Sequence, residues 1–115
     1  MCVRSLVADD EPDIRDFLGH VLARAGHDVT TADDGAEVLE RASADHFDLV
    51  VVDHHMPRLT GLAVAEELGR ASPGTKVLLM SGDLDVGRAH PHFLPKPFTR
   101  GEFMAAVDGL LSPTG

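Results

Sequence analysis

Short apolar runs, each stopped by acidic or hydroxyl residues, alternate along this chain with segments of helical period. Leu49-Val50-Val51-Val52 and Val77 to Met80 contain no polar residue at all. Such runs fit strands covered on both faces, as in a parallel sheet. Val3 to Ala8 is a further, mostly apolar run, Val29 to Ala32 a brief β-branched one, and Phe93-Leu94 a fragment before Lys96-Pro97. Between them lie Ile14, Phe17, Leu18, Val21 and Leu22, spaced as one face of a helix that Pro12 opens and Gly26 closes. Asp34 and Glu37 have capping-box spacing ahead of Val38, Leu39 and Ala42. Leu62, Ala65, Leu68 and Gly69 mark a third helix, ended by Ser72-Pro73-Gly74. Thr99 and Glu102 repeat the capping spacing before Phe103, Ala106, Val107, Leu110 and Leu111. The alternation predicts an α/β fold of (βα)5 type, a doubly wound parallel five-stranded sheet with right-handed crossovers.

A chain of 115 residues has room for one core, so residues 1–115 are expected to form a single domain. A net charge of −9 opposes attraction to phosphate backbones, so direct nucleic-acid contact and anionic membranes are not expected. The apolar runs are too short to insert in a bilayer. Acidic residues by Asp9 argue against a signal peptide, and a lone cysteine, Cys2, fits a reducing cytoplasmic setting without a redox role.

In open parallel sheets, ligands bind beyond the carboxyl ends of the strands. The polar residues at those ends are Asp9 and Asp10 after the first run, Asp53 after the third, Ser81 after the fourth and Lys96 after the fifth. Three carboxylates brought together repel unless a proton or a cation intervenes. Oxygen ligands without thiolates select Mg²⁺, or Mn²⁺, over zinc or copper. With such an ion and Lys96 the formal charges cancel, and the site could admit a phosphoryl group.

The strings Leu6-Val7-Ala8-Asp9-Asp10-Glu11-Pro12, Asp53-His54-His55-Met56-Pro57 with Gly61, Met80-Ser81-Gly82 and Lys96-Pro97-Phe98 resemble those of the receiver domain of two-component response regulators. The match runs from about Val3 to Leu111. The resemblance implies a flavodoxin-like strand order 2-1-3-4-5. It implies that Asp53 accepts the phosphoryl group, that Asp10 and Asp53 ligate Mg²⁺ directly, and that Asp9 acts mostly through water. The backbone carbonyl of His55 would be a further ligand. Ser81 would hydrogen-bond the phosphoryl group, Lys96 would pair with Asp53, and Phe93 would turn inward as Ser81 moves. A cis bond is implied before Pro97. His55 and Asp83 occupy the positions linked to how fast water reaches the aspartyl phosphate. A sensor histidine kinase or histidine phosphotransfer protein would be the donor, with an unidentified downstream protein and a homodimer among the assemblies to consider. On this reading the chain is a signalling switch that catalyses only its own phosphorylation and dephosphorylation.

Two features depart from the family pattern: a histidine, His55, two residues after the acceptor, and the fourth crossover. Only Gly82 to His92, eleven residues, separate the last two strands, with Gly87 and Pro91 among them. That is the lower bound for a crossover, so the fourth helix is expected to be short or missing. Two other functions compete: a receiver-like interaction module that needs no phosphate, and a Mg²⁺-dependent phosphohydrolase using Asp53. The pairs His54-His55 and His90-x-His92 raise a transition-metal site, although most scattered histidines bind nothing.

Overall fold

The computed structural model describes residues 3–88, 90 and 92–111. In chain order its elements are β1 (Arg4–Ala8), α1 (Pro12–Arg24), β2 (Asp28–Ala32), α2 (Gly35–Ala44), β3 (Leu49–Asp53), α3 (Gly61–Ala71), β4 (Lys76–Ser81), α4 (Leu84–Gly87), β5 (Phe93–Pro95) and α5 (Arg100–Leu111). All neighbouring strands are parallel and the sheet order is β2-β1-β3-β4-β5. Cys2 and Pro91 lie outside the described residues.

Alternation along the strands divides the core in two. Leu6 and Ala8, Val50 and Val52, and Val77 and Leu79 face one way, onto Val38 of α2, Val64 and Leu68 of α3, and Val86 of α4. Val7, Leu49, Val51, Leu78 and Met80 face the other way, onto Leu18 and Leu22 of α1 and Phe103 and Val107 of α5. This is why β3 tolerates no polar residue before Asp53: both of its faces are dry. Each such Val or Leu contributes roughly 1.5–3 kcal/mol through burial.

The helix boundaries follow from local chemistry. Gly26 adopts φ +94° just beyond the end of α1, a conformation that side chains disfavour. At α5 the capping box is reciprocal: Thr99 Oγ1 accepts from the Glu102 amide at 3.0 Å, and Glu102 Oε1 accepts from the Thr99 amide at 2.9 Å. At α2 only half of the expected box forms. Asp34 Oδ1 accepts from the Glu37 amide, but the Glu37 carboxylate reaches the amide of Asp33, one residue earlier.

Two expectations are corrected. Phe17 is 48% exposed, because it lies at the edge of the α1 stripe whose centre is Leu18, Val21 and Leu22. On α3 the buried face is Gly61, Val64, Ala65 and Leu68, while Leu62 is half-buried and Gly69 exposed. The short fourth crossover holds one helical turn, Leu84–Gly87, consistent with the expectation of a short or missing fourth helix. No helix among the described residues is long and apolar enough to cross a membrane.

Candidate functional site

Strand register builds the site. Ala8 pairs with Val52, so Asp9 and Asp53 emerge level with each other at the carboxyl edge of the sheet. Asp53 pairs with Met80, and Ser81 with Pro95, which brings Ser81 and Lys96 to the same edge. The Lys96 amide donates to the Ser81 carbonyl at 2.9 Å and fixes the lysine backbone there. The Lys96–Pro97 peptide is cis, as the resemblance implied. On the other side, the His54 amide donates to the Met80 carbonyl at 2.9 Å, and the Gly61 amide donates to the His54 carbonyl at 3.1 Å. Those bonds fold the loop after β3 back over the strand end.

Asp9, Asp10 and Asp53 each offer a carboxylate oxygen within 4.8 Å of the others. Asp9 is fully buried and Asp53 nearly so, whereas Asp10 is exposed. The Lys96 ammonium lies 2.8 Å from Asp53 Oδ1 and 3.5 Å from Asp9 Oδ2. The shorter contact makes the Lys96 ammonium the ion-pair partner of the buried Asp53 Oδ1. Burial pushes the Asp9 carboxyl above the usual range and the Asp53 carboxylate adds to that, against the Glu11 amide and Lys96. Burial disfavours the charge on Lys96, but its contacts with Asp53 and Asp9 outweigh this and hold its pKa above the ordinary lysine value.

These residues leave two uncompensated negative charges, because three carboxylates face one ammonium. An oxygen-only set of this charge, with two of its carboxylates buried, fits a hard divalent cation such as Mg²⁺. The opening beside Asp10 leaves one side of the cluster accessible to a ligand.

The remaining expected residues are placed as follows. Ser81 is buried, and its hydroxyl accepts from the Asp83 amide at 3.0 Å. Asp83 is exposed and caps α4 by accepting from the Asp85 amide. His55 is exposed on the rim, its ring edge-on to that of His54. Phe93 is half-buried against the α2–α3–α4 core and lies away from the carboxylates, opposite Leu79 in β5. The histidine pairs gather no third ligand among the described residues: His54 Nδ1 accepts from the Leu62 amide at 3.4 Å, and His90 Nε2 lies 3.0 Å from the Val77 carbonyl. One contributor was not legible in advance: Arg15 donates to the Asp9 carbonyl at 3.0 Å. Gly61, part of the motif that carries the resemblance, sits where a Cβ would strike the Asp53 backbone. The i to i+4 spacing of Glu11 and Arg15 gave no hint that the guanidinium reaches back past the helix start.

Comparison with known proteins agrees with this geometry. Residues 5–108 match the family model described as the response regulator receiver domain. The chain is 40% identical to the transcriptional activator protein PfeR of Pseudomonas aeruginosa over 94% of its length, covering 37% of that protein. It is 36% identical to the response regulator MprA of Mycobacterium ulcerans over 99% of its length, covering 52% of that protein. It thus spans between a third and about half of the curated relatives it matches. Among solved structures it resembles the chemotaxis response regulator CheY4 of Vibrio cholerae, with TM-score 0.88 and 28% identity over 96% of this chain and all of that one. It also resembles the response regulator TrrA of Thermotoga maritima in complex with Mg²⁺-BeF, with TM-score 0.86 and 32% identity over 95% of this chain and 99% of that one. TrrA in complex with the histidine kinase ThkA matches with TM-score 0.83 and 34% identity over 96% of this chain and 99% of TrrA. A sheet of this order, acidic and basic residues at its matching strand ends and a family match over nearly the whole length lead to one conclusion: the chain belongs to the response regulator receiver domain family.

Proposed function

We propose that residues 1–115 form one receiver unit in which Asp53 accepts a phosphoryl group from a phosphohistidine and so switches protein–protein contacts. The observation that carries this reading is Asp53 itself: a nearly buried carboxylate, 2.8 Å from an ammonium and clustered with two further carboxylates. A carboxylate is ionised at neutral pH, so its nucleophile needs no separate base. An Asp53 oxygen forms the bond to phosphorus as the phosphorus–nitrogen bond of the donor breaks, and the electron pair leaves with the imidazole. Transfer of this kind needs mainly positioning and charge stabilisation. Lys96 is placed to hold a phosphoryl oxygen, since it already faces both buried carboxylates. Asp10 and Asp53, with Asp9 through water and the His55 carbonyl, would hold Mg²⁺. When bound, the ion supplies the positive charge that lets an anionic phosphoryl group enter an acidic site.

Ser81 would turn its hydroxyl from the Asp83 amide to the phosphoryl group, and Phe93 would respond on the same face of the sheet. His55 and Asp83 on the rim would govern access of water to the aspartyl phosphate, whose hydrolysis resets the switch. The expected donor is a sensor histidine kinase or a phosphotransfer protein, in a cytoplasmic setting. An apolar groove of about 460 Å³, lined by Ile14, Phe17, Leu18, Pro97 and Phe98, opens beside Lys96. The TrrA–ThkA complex supports a kinase as that partner.

Acetyl phosphate with Mg²⁺, followed by intact mass, tests the proposal. One phosphoryl group should add to the wild type and none to Asp53→Asn. Steady turnover of small phosphate esters would favour a phosphohydrolase instead. Partner binding indifferent to Asp53→Asn would favour a phosphate-independent interaction module.

A further inference from the structure

The β1–α1 turn carries Asp9 and Asp10, two of the three clustered carboxylates, yet α1 starts there with no side-chain cap from Glu11. Two polar contacts hold the turn. Asp9 Oδ1 accepts from the Glu11 amide at 2.9 Å. From one turn inside α1, Arg15 Nη1 donates to the Asp9 carbonyl at 3.0 Å. The same nitrogen lies 3.1 Å from Asp33 Oδ1 on the β2–α2 turn. The Arg15 side chain is only 17% exposed, so its charge-assisted bond to the Asp9 carbonyl is partly desolvated, whereas Asp33, 77% exposed, meets it in solvent.

The Asp9 carbonyl and the Asp10 amide belong to one planar peptide unit. Pinning that oxygen fixes the plane from which Asp10 departs. Asp10 is exposed, so packing does little to aim its carboxylate and the backbone must do so.

We infer that Arg15 is a positioning residue for the cation site: through the Asp9 carbonyl it sets how Asp10 presents its carboxylate, and Asp33 offsets its charge. The inference rests on the Mg²⁺ reading given above. Its sign separates it from plain electrostatics. Arg15 is a cation near a cation site, so charge alone predicts tighter Mg²⁺ binding when it is removed. Positioning predicts weaker binding.

Mg²⁺ titration followed by amide NMR shifts, at fixed ionic strength, would compare wild type, Arg15→Met and Arg15→Lys. Arg15→Met keeps the apolar stem and removes the head, and its dissociation constant should rise about tenfold, the scale for groups that orient metal ligands. Arg15→Lys keeps the charge without the planar fork and should fall between the two. In the metal-free protein, hydrogen exchange at the Glu11 amide should quicken in Arg15→Met while the β3 amides keep their protection. Unchanged or tighter Mg²⁺ binding overturns the inference. So does unaltered exchange at Glu11, or equal acceleration throughout β3. If the wild type gives no Mg²⁺ response, the reading of the site fails, and exchange at Glu11 still judges Arg15 by itself.

Discussion

The ring of Phe93 lies against the Cα of Gly87 so closely that a methyl group there would overlap it. Gly87 is the last residue of the single-turn α4, and Phe93 opens β5. This glycine–aromatic contact therefore helps close the shortened crossover, beside the buried Val86. Gly87→Ala sets two effects against each other. Alanine favours a helix by roughly 0.5–1 kcal/mol over glycine. Overpacking a fitted contact costs typically 1–3 kcal/mol. The overlap should win, lowering stability by about 1 kcal/mol and shifting the Phe93 ring resonances. A variant more stable than wild type, with those resonances unmoved, would show that the ring yields freely.

The Lys96 ammonium serves two buried carboxylates. Lys96→Met should cost about 3 kcal/mol, because it leaves both charges without a partner. Asp53→Asn should act in the opposite sense and raise the melting temperature by a few degrees, since it relieves repulsion with Asp9. Thermal melts of both variants without divalent ions check the pair of signs. Saturating Mg²⁺ should then return part of what Lys96→Met loses, through binding to the folded state alone.

A methyl group at Gly61 would stand 2.5 Å from the Asp53 carbonyl oxygen and 2.8 Å from Leu79 Cδ1. The first obstacle is backbone and cannot swing aside. Gly61→Ala should cost roughly 2–3 kcal/mol and slow labelling by acetyl phosphate, because the strand end bearing the acceptor must shift. Normal labelling in a variant melting like the wild type would refute the argument.

At the opposite edge of the sheet, His27 Nδ1 and the buried Ser5 hydroxyl are hydrogen bonded at 2.6 Å. Burial lowers the His27 pKa, against the upward pull of Asp108 and Asp48. A histidine whose folded pKa is depressed contributes stability that is present above the unfolded value. That contribution is lost as pH falls through the unfolded pKa towards the folded one. The wild type should therefore lose stability between about pH 7 and pH 5 more steeply than His27→Gln. Parallel melting curves across that range would remove His27 as a cause.

Much of the architecture was legible because burial on two faces admits so few residue types. β3 reads as a strand from Leu49-Val50-Val51-Val52 alone, and the curtailment of the fourth helix from the count between Gly82 and His92. Phe17 was misjudged because periodicity locates a stripe but not its edge, and Phe17 borders an open groove. Val64 was overlooked as a core residue for the same reason, since its neighbours fit more than one face. Arg15 escaped notice, and Gly87 counted only as a limit on the fourth helix, because their partners, the Asp9 carbonyl and the Phe93 ring, are met only after the chain has folded.

What the amino-acid order determined by itself is the succession of strands and helices and the polar residue at each strand end. Both depend on contacts within a few residues and on which side chains shun water. Tertiary structure alone decided the distances at which the Lys96 nitrogen meets its expected partner Asp53 and the neighbouring Asp9, and that Arg15 secures the turn beside them. Those distances are set by the register between strands far apart in the chain, which no local pattern encodes.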